Sequence, residues 1–206
     1  MTSLDRNIVR QRLTDRPKMA QGWLHGDQGT QSKRQCDAAG VDGRIEAAVL
    51  VGMVDRSGGP AVLLTQRTEH LKDHAGQISF PGGRIEPEDE SVGAAALREV
   101  EEEVGLDRAQ VEILGRMPPY HTGTGFRIHP LVGWIVPPFD LQLDRFEVAE
   151  AFELPLSFVL DPANHRRQSY RCGALTRSYY VLPYQDRFIW GATAAILVNL
   201  ARLLRM

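Results

Sequence analysis

The chain has 206 residues, of which 43% are hydrophobic and 24% charged, and its formal net charge is −2. This length fits one domain, or one domain plus an extension, and allows a sizeable buried core. The charge provides no basic field for nucleic acid or an anionic membrane, so an anionic substrate must be held by local cations or by metal. The two cysteines, Cys36 and Cys172, stand in no CxxC motif and are expected to be unpaired thiols.

The amino-terminal residues do not favour export. No apolar run in the chain reaches transmembrane length, and residues 1–17 lack the apolar centre of a secretory signal. These residues contain arginines, as organelle transit peptides do, but Asp5 and Asp15 interrupt them. We therefore expect a cytoplasmic protein.

Two regions are predicted along the chain. Residues 1–43 are predicted to form a partly mobile extension, and residues 44–206 the main domain. Within the extension, residues 4–13 favour a short helix, whereas residues 21–43 are rich in Gly, Gln, Asp and Ser without periodicity.

The main domain opens with a strand, a turn and a second strand. Two apolar runs, residues 47–54 and 61–66, flank a turn rich in Gly and Pro, which predicts a β-hairpin. Residues 67–90 are mostly polar and interrupted by glycines, and a long loop of this kind is typically functional.

A helix is predicted next, at residues 91–104, with Gly105 as its carboxy-terminal cap. At about 3.6 residues per turn, Leu97, Val100 and Val104 share one face, and this apolar face should pack inward.

The remaining elements complete an α/β layered domain. Residues 111–114 and 128–136 favour strands, residues 148–159 and 179–182 are ambiguous or extended, and residues 191–204 favour a strongly apolar helix. Strands mixed with two substantial helices predict this class of fold.

Three glutamates of the helix at 91–104 are predicted to share one stripe. Glu99 precedes Glu102 by three residues and Glu103 by four, the spacings at which helical side chains are neighbours. Their repulsion costs roughly several tenths of a kcal/mol per pair, and the helix dipole disfavours negative charge in this last turn. Divalent cations would relieve the repulsion, and clustered oxygen ligands suit Mg²⁺ or Mn²⁺.

Neighbouring charges leave alternatives open. Glu101 lies off the stripe and should be solvated, and a glutamate-rich surface helix without chemistry is the competing interpretation. Arg98 stands four residues before Glu102 and can also reach back to the acidic loop, where Glu90 is one candidate partner.

The segment from residue 82 to residue 106 resembles the Nudix box, the signature of the Nudix hydrolases. Its second half, REVEEEVGL at residues 98–106, is complete. Glu90 stands the required seven residues before Arg98, but six residues instead of five separate it from the box glycine. Glu88 or Asp89 are therefore alternatives for the first acidic position of the box.

A second motif lies immediately upstream. The sequences LLTQRT at residues 63–68 and GQISFPGG at residues 76–83 are similar to the hallmark of the coenzyme A pyrophosphatase branch of this family. Lys72 stands where that branch has an arginine, which keeps the charge but loses bidentate phosphate geometry. Residues 189–193 are similar to the start of the last helix of the branch.

The resemblance implies an α/β/α sandwich with a mixed β-sheet, in which the box forms a loop, a helix and a loop. It also implies a Mg²⁺ or Mn²⁺ cofactor. The expected metal ligands are Glu99, Glu102, Glu103 and a backbone carbonyl of the glycine pair, Gly83 or Gly82. The residues expected to act in catalysis are Arg98, Glu102 and Glu103. The residues expected to bind substrate are Arg67, Lys72, Gln77 and Gly82.

The implied reaction is metal-dependent hydrolysis of a nucleoside diphosphate linked to another moiety. Coenzyme A or a derivative is the leading substrate, giving 3′,5′-ADP and 4′-phosphopantetheine; ADP-ribose or another nucleotide derivative is the alternative, and a non-hydrolytic nucleotide-binding module is a third. The general base is a box glutamate or a later carboxylate, with Glu147 and Glu150 as candidates. The partner is a small nucleotide, not nucleic acid or membrane, and a homodimer is one candidate assembly.

Some residues outside the motifs also have two interpretations. His70 and His74 are spaced as a metal pair, but ordinary polar surface is preferred for loop histidines. For Phe126, Trp134 and Trp190, a position in the core is preferred over stacking on adenine.

Overall fold

The computed structural model of the chain describes most of the main domain and parts of the amino-terminal region. The described residues are 4–15, 23–24, 43–71, 74–172 and 175–205. Lys72, which the sequence predicts as a substrate-binding residue, lies outside them.

The main sheet is mixed and contains eight of the described strands. They are β1 (Ile45–Val54), β2 (Ala61–Arg67), β3 (Ile78–Ser79), β4 (Gly82–Arg84), β5 (Val111–Arg116), β6 (Tyr120–His121), β7 (Phe126–Ile135) and β8 (Val148–Pro155). The strand order is β3-β2-β1-β7-β5, with β4 paired to β1, β6 to β7 and β8 to β2. The β1–β7 pair is parallel and the other pairs are antiparallel.

Four helices and a smaller sheet complete the described structure. The helices are α1 (Arg6–Thr14), α2 (Val92–Val104), α3 (Leu156–Leu160) and α4 (Gly191–Leu204). The smaller sheet is antiparallel and contains β9 (Arg166–Cys172), β10 (Leu175–Tyr184) and β11 (Arg187–Trp190). Within the described residues, no helix combines the length and apolar composition needed to cross a bilayer.

Strand β1 shows how the layers are arranged. Its side chains alternate between the two faces of the sheet. Leu50 and Val54 pack with residues of α2, whereas Val51 and Met53 belong to the cluster that contains the buried face of α4. The sheet therefore lies between helices, and the predicted α/β/α sandwich with a mixed sheet is confirmed.

Helix α2 has the predicted boundaries and orientation. It begins after Ser91, whose side chain accepts a hydrogen bond from the N–H of Ala94, and it ends at Gly105 in the left-handed conformation (φ 66°). Val100 and Val104 are fully buried, so the predicted apolar face packs inward.

Other elements differ from the sequence prediction. The ambiguous stretch 148–159 is strand β8 followed by the short helix α3, and the predicted loop 67–90 contains the short strands β3 and β4. The smaller sheet was predicted only at residues 179–182. These strands are rich in arginine, glutamine and serine, which do not give a clear apolar alternation.

The described part of the amino-terminal region packs on the domain. Helix α1 begins after Asp5, whose side chain accepts hydrogen bonds from two backbone N–H groups, and it buries Val9 and Leu13. Arg6 and Arg10 form ion pairs with Glu112 on β5. The mobility predicted for much of residues 1–43 concerns residues outside the described ranges and stays a prediction.

Candidate active site

Strand β4 places the glycine pair against the acidic face of α2. The N–H of Gly82 donates a hydrogen bond to Oε2 of Glu103 at 3.1 Å. Gly82 has φ 147°, and a Cβ at this position would lie 2.3 Å from the carbonyl oxygen of Ala48. A Cβ on Gly83 would lie 2.5 Å from the carboxylate atoms of Glu99. Only glycines allow this close approach of bare backbone to the two carboxylates.

Glu103 is the most buried carboxylate of the site. It is 5% exposed, and burial raises its pKa to about 8, even though the Gly82 N–H and the charge of Arg67 act in the opposite direction. The negative charges of Glu99 and Glu147 raise the Glu103 pKa further. Burial also raises the pKa of Glu99. The protein therefore does not fully balance the negative charge of the Glu99 and Glu103 carboxylates.

Glu102 and Glu101 differ from this pair. The Glu102 side chain is 59% exposed, and it accepts a hydrogen bond at 3.0 Å from Nη1 of Arg98. Glu101 forms an ion pair with Arg108 on the surface, as predicted for a solvated residue. Of the three glutamates of the predicted stripe, Glu99 and Glu103 meet at the glycine pair, whereas Glu102 turns toward solvent.

Arg98 joins the loop after β4 to helix α2. Its Nε and Nη2 donate to the two carboxylate oxygens of Asp89 at 3.1 and 3.0 Å, and Nη1 donates to Glu99 and Glu102, each at 3.0 Å. Nη2 also donates to the carbonyl oxygen of Arg84 at 3.1 Å. All five N–H groups of the guanidinium thus bond to protein atoms. Arg98 acts on the site by holding its neighbours.

The partner of Arg98 in the acidic loop is Asp89, not Glu90. Asp89 also accepts a hydrogen bond from the N–H of Glu86 at 2.8 Å, and with Arg98 this lowers the Asp89 pKa. Five residues separate Asp89 from Gly83, so the contact follows the spacing counted from the glycine and not the spacing of Glu90 counted back from Arg98.

The oxygen atoms beside the glycine pair are of the kind that binds divalent metal ions. No three His, Cys, Asp or Glu side chains among the described residues converge as a metal-holding group. However, Glu99 and Glu103 place hard oxygens beside bare glycine backbone, and the raised pKa of each carboxyl indicates charge that a cation would stabilise. The residues present therefore fit a hard divalent cation such as Mg²⁺ or Mn²⁺.

Arg67 stands beside this carboxylate pair. Its Nη1 lies 3.8 Å from Oε1 of Glu103, and its Nη2 lies 3.9 Å from Oε2 of Glu147. The Nε atom is buried and has no hydrogen-bond partner in the described structure. Glu150 is engaged elsewhere, in an ion pair with Arg187. Of the two later carboxylates considered from sequence, only Glu147 contacts the site.

A cavity of about 760 Å³ opens next to the glycine pair. Three of the predicted substrate-binding residues border it, namely Arg67, Gln77 and Gly82. Its remaining lining is mainly apolar and aromatic, and comes from β1, β3, β4, β7, β10, β11 and α4: Ala47, Val49, His74, Ile78, Ser79, Phe80, Gly83, Arg84, Thr122, Thr124, Phe126, Ile128, Ser178, Tyr179, Trp190, Gly191, Ala192, Thr193 and Ile196.

The cavity corrects two aromatic assignments. Trp134 is buried, as preferred from the sequence, but Trp190 is 43% exposed and lines the cavity together with Phe126. Residue 190 was expected at the start of an apolar helix, whereas it is the last residue of strand β11. No apolar pattern in the sequence marked this strand as a cavity wall.

The two loop histidines make different contacts. His74 lines the cavity, with Nδ1 3.0 Å from Oε1 of Gln77. His70 packs against the ring of Phe146, with 4.8 Å between ring centroids.

The model of the NUDIX domain matches residues 44–161, more than half of the chain. The chain belongs to the Nudix family. The Nudix segment contains the glycine pair, helix α2 and strand β8, whereas the smaller sheet and α4 follow it.

Similar proteins include other Nudix hydrolases. NudL of Escherichia coli O1:K1 / APEC, named as an uncharacterized Nudix hydrolase, is 43% identical over 157 residues, which cover 76% of this chain and 81% of NudL. The crystal structure of RenU, a Nudix hydrolase from M. smegmatis, is 24% identical with a TM-score of 0.49, covering 64% of this chain and 81% of RenU. A Nudix hydrolase from Alicyclobacillus acidocaldarius is 18% identical with a TM-score of 0.49, covering 79% of this chain and 93% of its own.

Proposed function

We propose that this Nudix hydrolase cleaves the pyrophosphate of coenzyme A or its derivatives, using Mg²⁺ or Mn²⁺. A water oxygen forms a bond to one phosphorus and the bond from that phosphorus to the bridging oxygen breaks, so the products are 3′,5′-ADP and 4′-phosphopantetheine or its derivative. Membership of the Nudix family supports hydrolysis of a nucleoside diphosphate derivative. The choice of coenzyme A within that class is our proposal.

One observation carries the proposal. The segment GQISFPGG, which resembles the coenzyme A branch, borders the cavity through Gln77, and its glycines Gly82 and Gly83 lie against buried Glu103 and partly buried Glu99. The segment that suggests the substrate is thus continuous with the residues that fit the metal.

The proposed roles follow from the contacts. Glu99, Glu103 and a carbonyl of the glycine pair would hold the metal, and Glu102 would be a further ligand or would orient water. A divalent cation there would neutralise phosphate charge and acidify a water. Arg67 lines the cavity beside these carboxylates, and its Nη1 and Nη2 atoms lie 3.8 Å from Glu103 and 3.9 Å from Glu147, too far for strong hydrogen bonds, so they are suited to bind a phosphate oxygen.

Glu147 is the proposed general base among the later carboxylates. Its side chain is 44% exposed and lies 3.9 Å from Arg67, and its charge influences the pKa of both Glu99 and Glu103. It therefore stands near the site with access to water, whereas Glu150 is held by Arg187. A box glutamate is the alternative base.

Two alternative functions, hydrolysis of another nucleotide and nucleotide binding without hydrolysis, predict different observations. ADP-ribose or another nucleotide derivative would use the same carboxylates, so only a substrate panel separates them from coenzyme A. A non-hydrolytic binding module would be expected to lose box carboxylates, yet Glu99, Glu102 and Glu103 are all present. A cytoplasmic location and a homodimer stay predictions.

The deciding experiment separates the products of coenzyme A, ADP-ribose and a dinucleotide after incubation with purified protein and Mg²⁺ or Mn²⁺. We expect 3′,5′-ADP from coenzyme A as the fastest reaction. Cleavage of another nucleotide without 3′,5′-ADP from coenzyme A would reject the substrate proposal. Absence of any hydrolysis, with nucleotide binding retained, would favour the binding module.

A further inference from the structure

The wall of the cavity contains an aromatic side chain that the protein leaves partly uncovered. Trp190, at the end of β11, is 43% exposed. Tyr179 packs against it in an edge-to-face arrangement, with 5.9 Å between ring centroids. Because a neighbouring ring holds the indole in place while a large part of its surface stays open, Trp190 is suited to stack on a flat ligand.

A guanidinium lies at the same cavity. Arg84 follows Gly83 directly in the chain, and its guanidinium carbon lies 5.9 Å from the ring centroid of Phe126. In the part of the chain that the structure describes, no carboxylate is in ion-pair contact with Arg84. Arg84 is therefore a cation next to the glycine pair whose charge is available to an anionic ligand.

Hydroxyl groups accompany this cation. Thr122, Thr124 and Ser178 line the cavity, and Ser178 accepts a hydrogen bond from Arg167. The Thr122 and Thr124 hydroxyls bond to each other, and Thr122 also accepts a hydrogen bond from the N–H of Phe126. These polar groups make this side of the cavity better suited to a ribose and a phosphate than to an alkyl chain.

The chain around the smaller sheet is also positively charged. No Asp or Glu occurs between Asp161 and Asp186, and this stretch contains four arginines. Of these, Arg166, Arg167 and Arg171 are exposed. Of the three, Arg167 donates a hydrogen bond to Ser178 of the cavity lining, so its positive charge lies beside the cavity and favours a ligand that carries phosphate in addition to the pyrophosphate.

We propose that the cavity binds the 3′-phosphoadenosine half of the substrate, with the adenine stacked on Trp190 and the ribose phosphate paired with Arg84. This proposal rests on the proposed function and adds the orientation of the substrate. The pantetheine half then extends away from the aromatic wall. The opposite orientation, with the pantetheine half in the cavity, is the outcome that would overturn it.

Tryptophan fluorescence tests the orientation without turnover. The chain has three tryptophans, and Trp23 and Trp134 are buried, so a ligand in the cavity should affect Trp190. We expect 3′,5′-ADP to quench the emission of the wild-type protein in the presence of EDTA, and Trp190→Phe to remove most of the change. Quenching by 4′-phosphopantetheine but not by 3′,5′-ADP would overturn the proposal.

Kinetics test the stacking contact. Trp190→Ala should raise the KM for coenzyme A roughly 5- to 100-fold with little change in kcat, because stacking on a base is lost. Trp190→Phe should restore part of the affinity. Phe188→Ala is the matched control, since Phe188 is 48% exposed on the same strand and outside the cavity lining. An unchanged KM in Trp190→Ala would contradict the stacking contact.

A comparison of coenzyme A with dephospho-coenzyme A tests Arg84. The wild-type enzyme should prefer coenzyme A, and Arg84→Ala should reduce this preference by roughly tenfold or more. Arg171→Ala, an exposed arginine outside the cavity lining, should keep it. Equal use of both substrates by the wild type would reject the phosphate contact while leaving the proposed function intact. If the wild type cleaves neither, the proposed function fails, and the fluorescence titration still decides which half the cavity binds.

Discussion

Asp89 and Arg98 face one another through two hydrogen bonds of 3.0 and 3.1 Å that join both oxygens of the carboxylate to the guanidinium. Arg98 also holds Glu99 at 3.0 Å. The pair therefore connects the loop after β4 to a carboxylate that the site depends on.

Replacing Asp89 should affect both stability and turnover. Asp89→Asn keeps the size of the side chain but removes the charge that holds Arg98, so we expect a lower melting temperature at neutral pH and a kcat reduced about tenfold. Because folding lowers the Asp89 pKa, its contribution to stability is present above the ordinary pKa and is lost as pH falls through the lowered pKa. The difference in melting temperature between wild type and variant should thus disappear in acid.

Glu90→Gln is the matched control for this prediction. Glu90 is exposed and makes none of the contacts that Arg98 makes with Asp89. Its melting curve and kcat should match the wild type. A larger effect from Glu90→Gln than from Asp89→Asn would assign the acidic position of the box to Glu90 after all.

The buried carboxyl of Glu103 should make the metal-free protein less stable at higher pH. Its pKa rises from 4.5 to about 8 on folding, so the unfolded chain is ionised between these values while the folded protein retains a proton. The free energy of unfolding should therefore fall as pH rises through this window, in total by on the order of a few kcal/mol. Urea titrations with EDTA between about pH 5 and pH 8 measure this.

Glu103→Gln should remove most of this pH dependence. It should also abolish turnover while leaving folding largely intact, because the amide oxygen can still accept the hydrogen bond from Gly82. Glu101→Gln, a substitution on the solvated side of the same helix, should keep the wild-type slope. If the free energy of unfolding changes with pH in the same way in the wild type and in Glu103→Gln, the Glu103 carboxyl is not the source of the pH dependence. Wild-type activity in Glu103→Gln would reject the role of Glu103 as a metal ligand.

The two glycines should respond differently to alanine. A Cβ on Gly83 meets the movable carboxylate of Glu99, so Gly83→Ala should fold but lose about 10- to 100-fold in activity, with a higher Mg²⁺ requirement. A Cβ on Gly82 meets the backbone of Ala48 and Val49, so Gly82→Ala should fail to fold stably. Metal titrations of activity, together with circular dichroism, distinguish the two. Wild-type metal dependence in Gly83→Ala would contradict this interpretation.

Glu147→Gln should lower kcat by about 10- to 100-fold with little change in KM, as expected for loss of a general base. Glu150→Gln is the comparison, because Glu150 pairs with Arg187 and should affect stability without affecting kcat. The pH dependence of kcat should change only in Glu147→Gln. If neither variant lowers kcat, a box glutamate is the base.

The sequence predicted helix α2 well because its signals are local. The period of Leu97, Val100 and Val104 depends on the geometry of a single helix, and Gly105 ends that helix through its own backbone conformation. The motif resemblance covered the adjoining loop as well. The carboxylate that faces Arg98 stayed open between three residues, because a loop with one extra residue has no fixed period from which a contact can be counted.

The cavity wall could not be derived in the same way. Trp190 was assigned to the core because aromatic residues inside strands and helices usually lie there, yet a turn of the chain at Gly191 (φ 65°) leaves it at the end of a strand. Its exposure depends on how the smaller sheet packs against β3, a long-range contact with no local signature. Arg84 was likewise missed as a candidate, because a charged residue after the box glycines is indistinguishable in sequence from a surface residue.

The Nudix segment ends at residue 161, so the residues of the proposed site come from two separate parts of the sequence. The carboxylates and glycines precede this boundary, whereas Ser178, Tyr179 and Trp190 follow it. Under the proposed function, mutations after residue 161 would therefore change which nucleotide is accepted without touching the proposed metal ligands. Exchanging residues 166–190 between relatives would be a direct route to new substrate preferences on an unchanged hydrolytic centre.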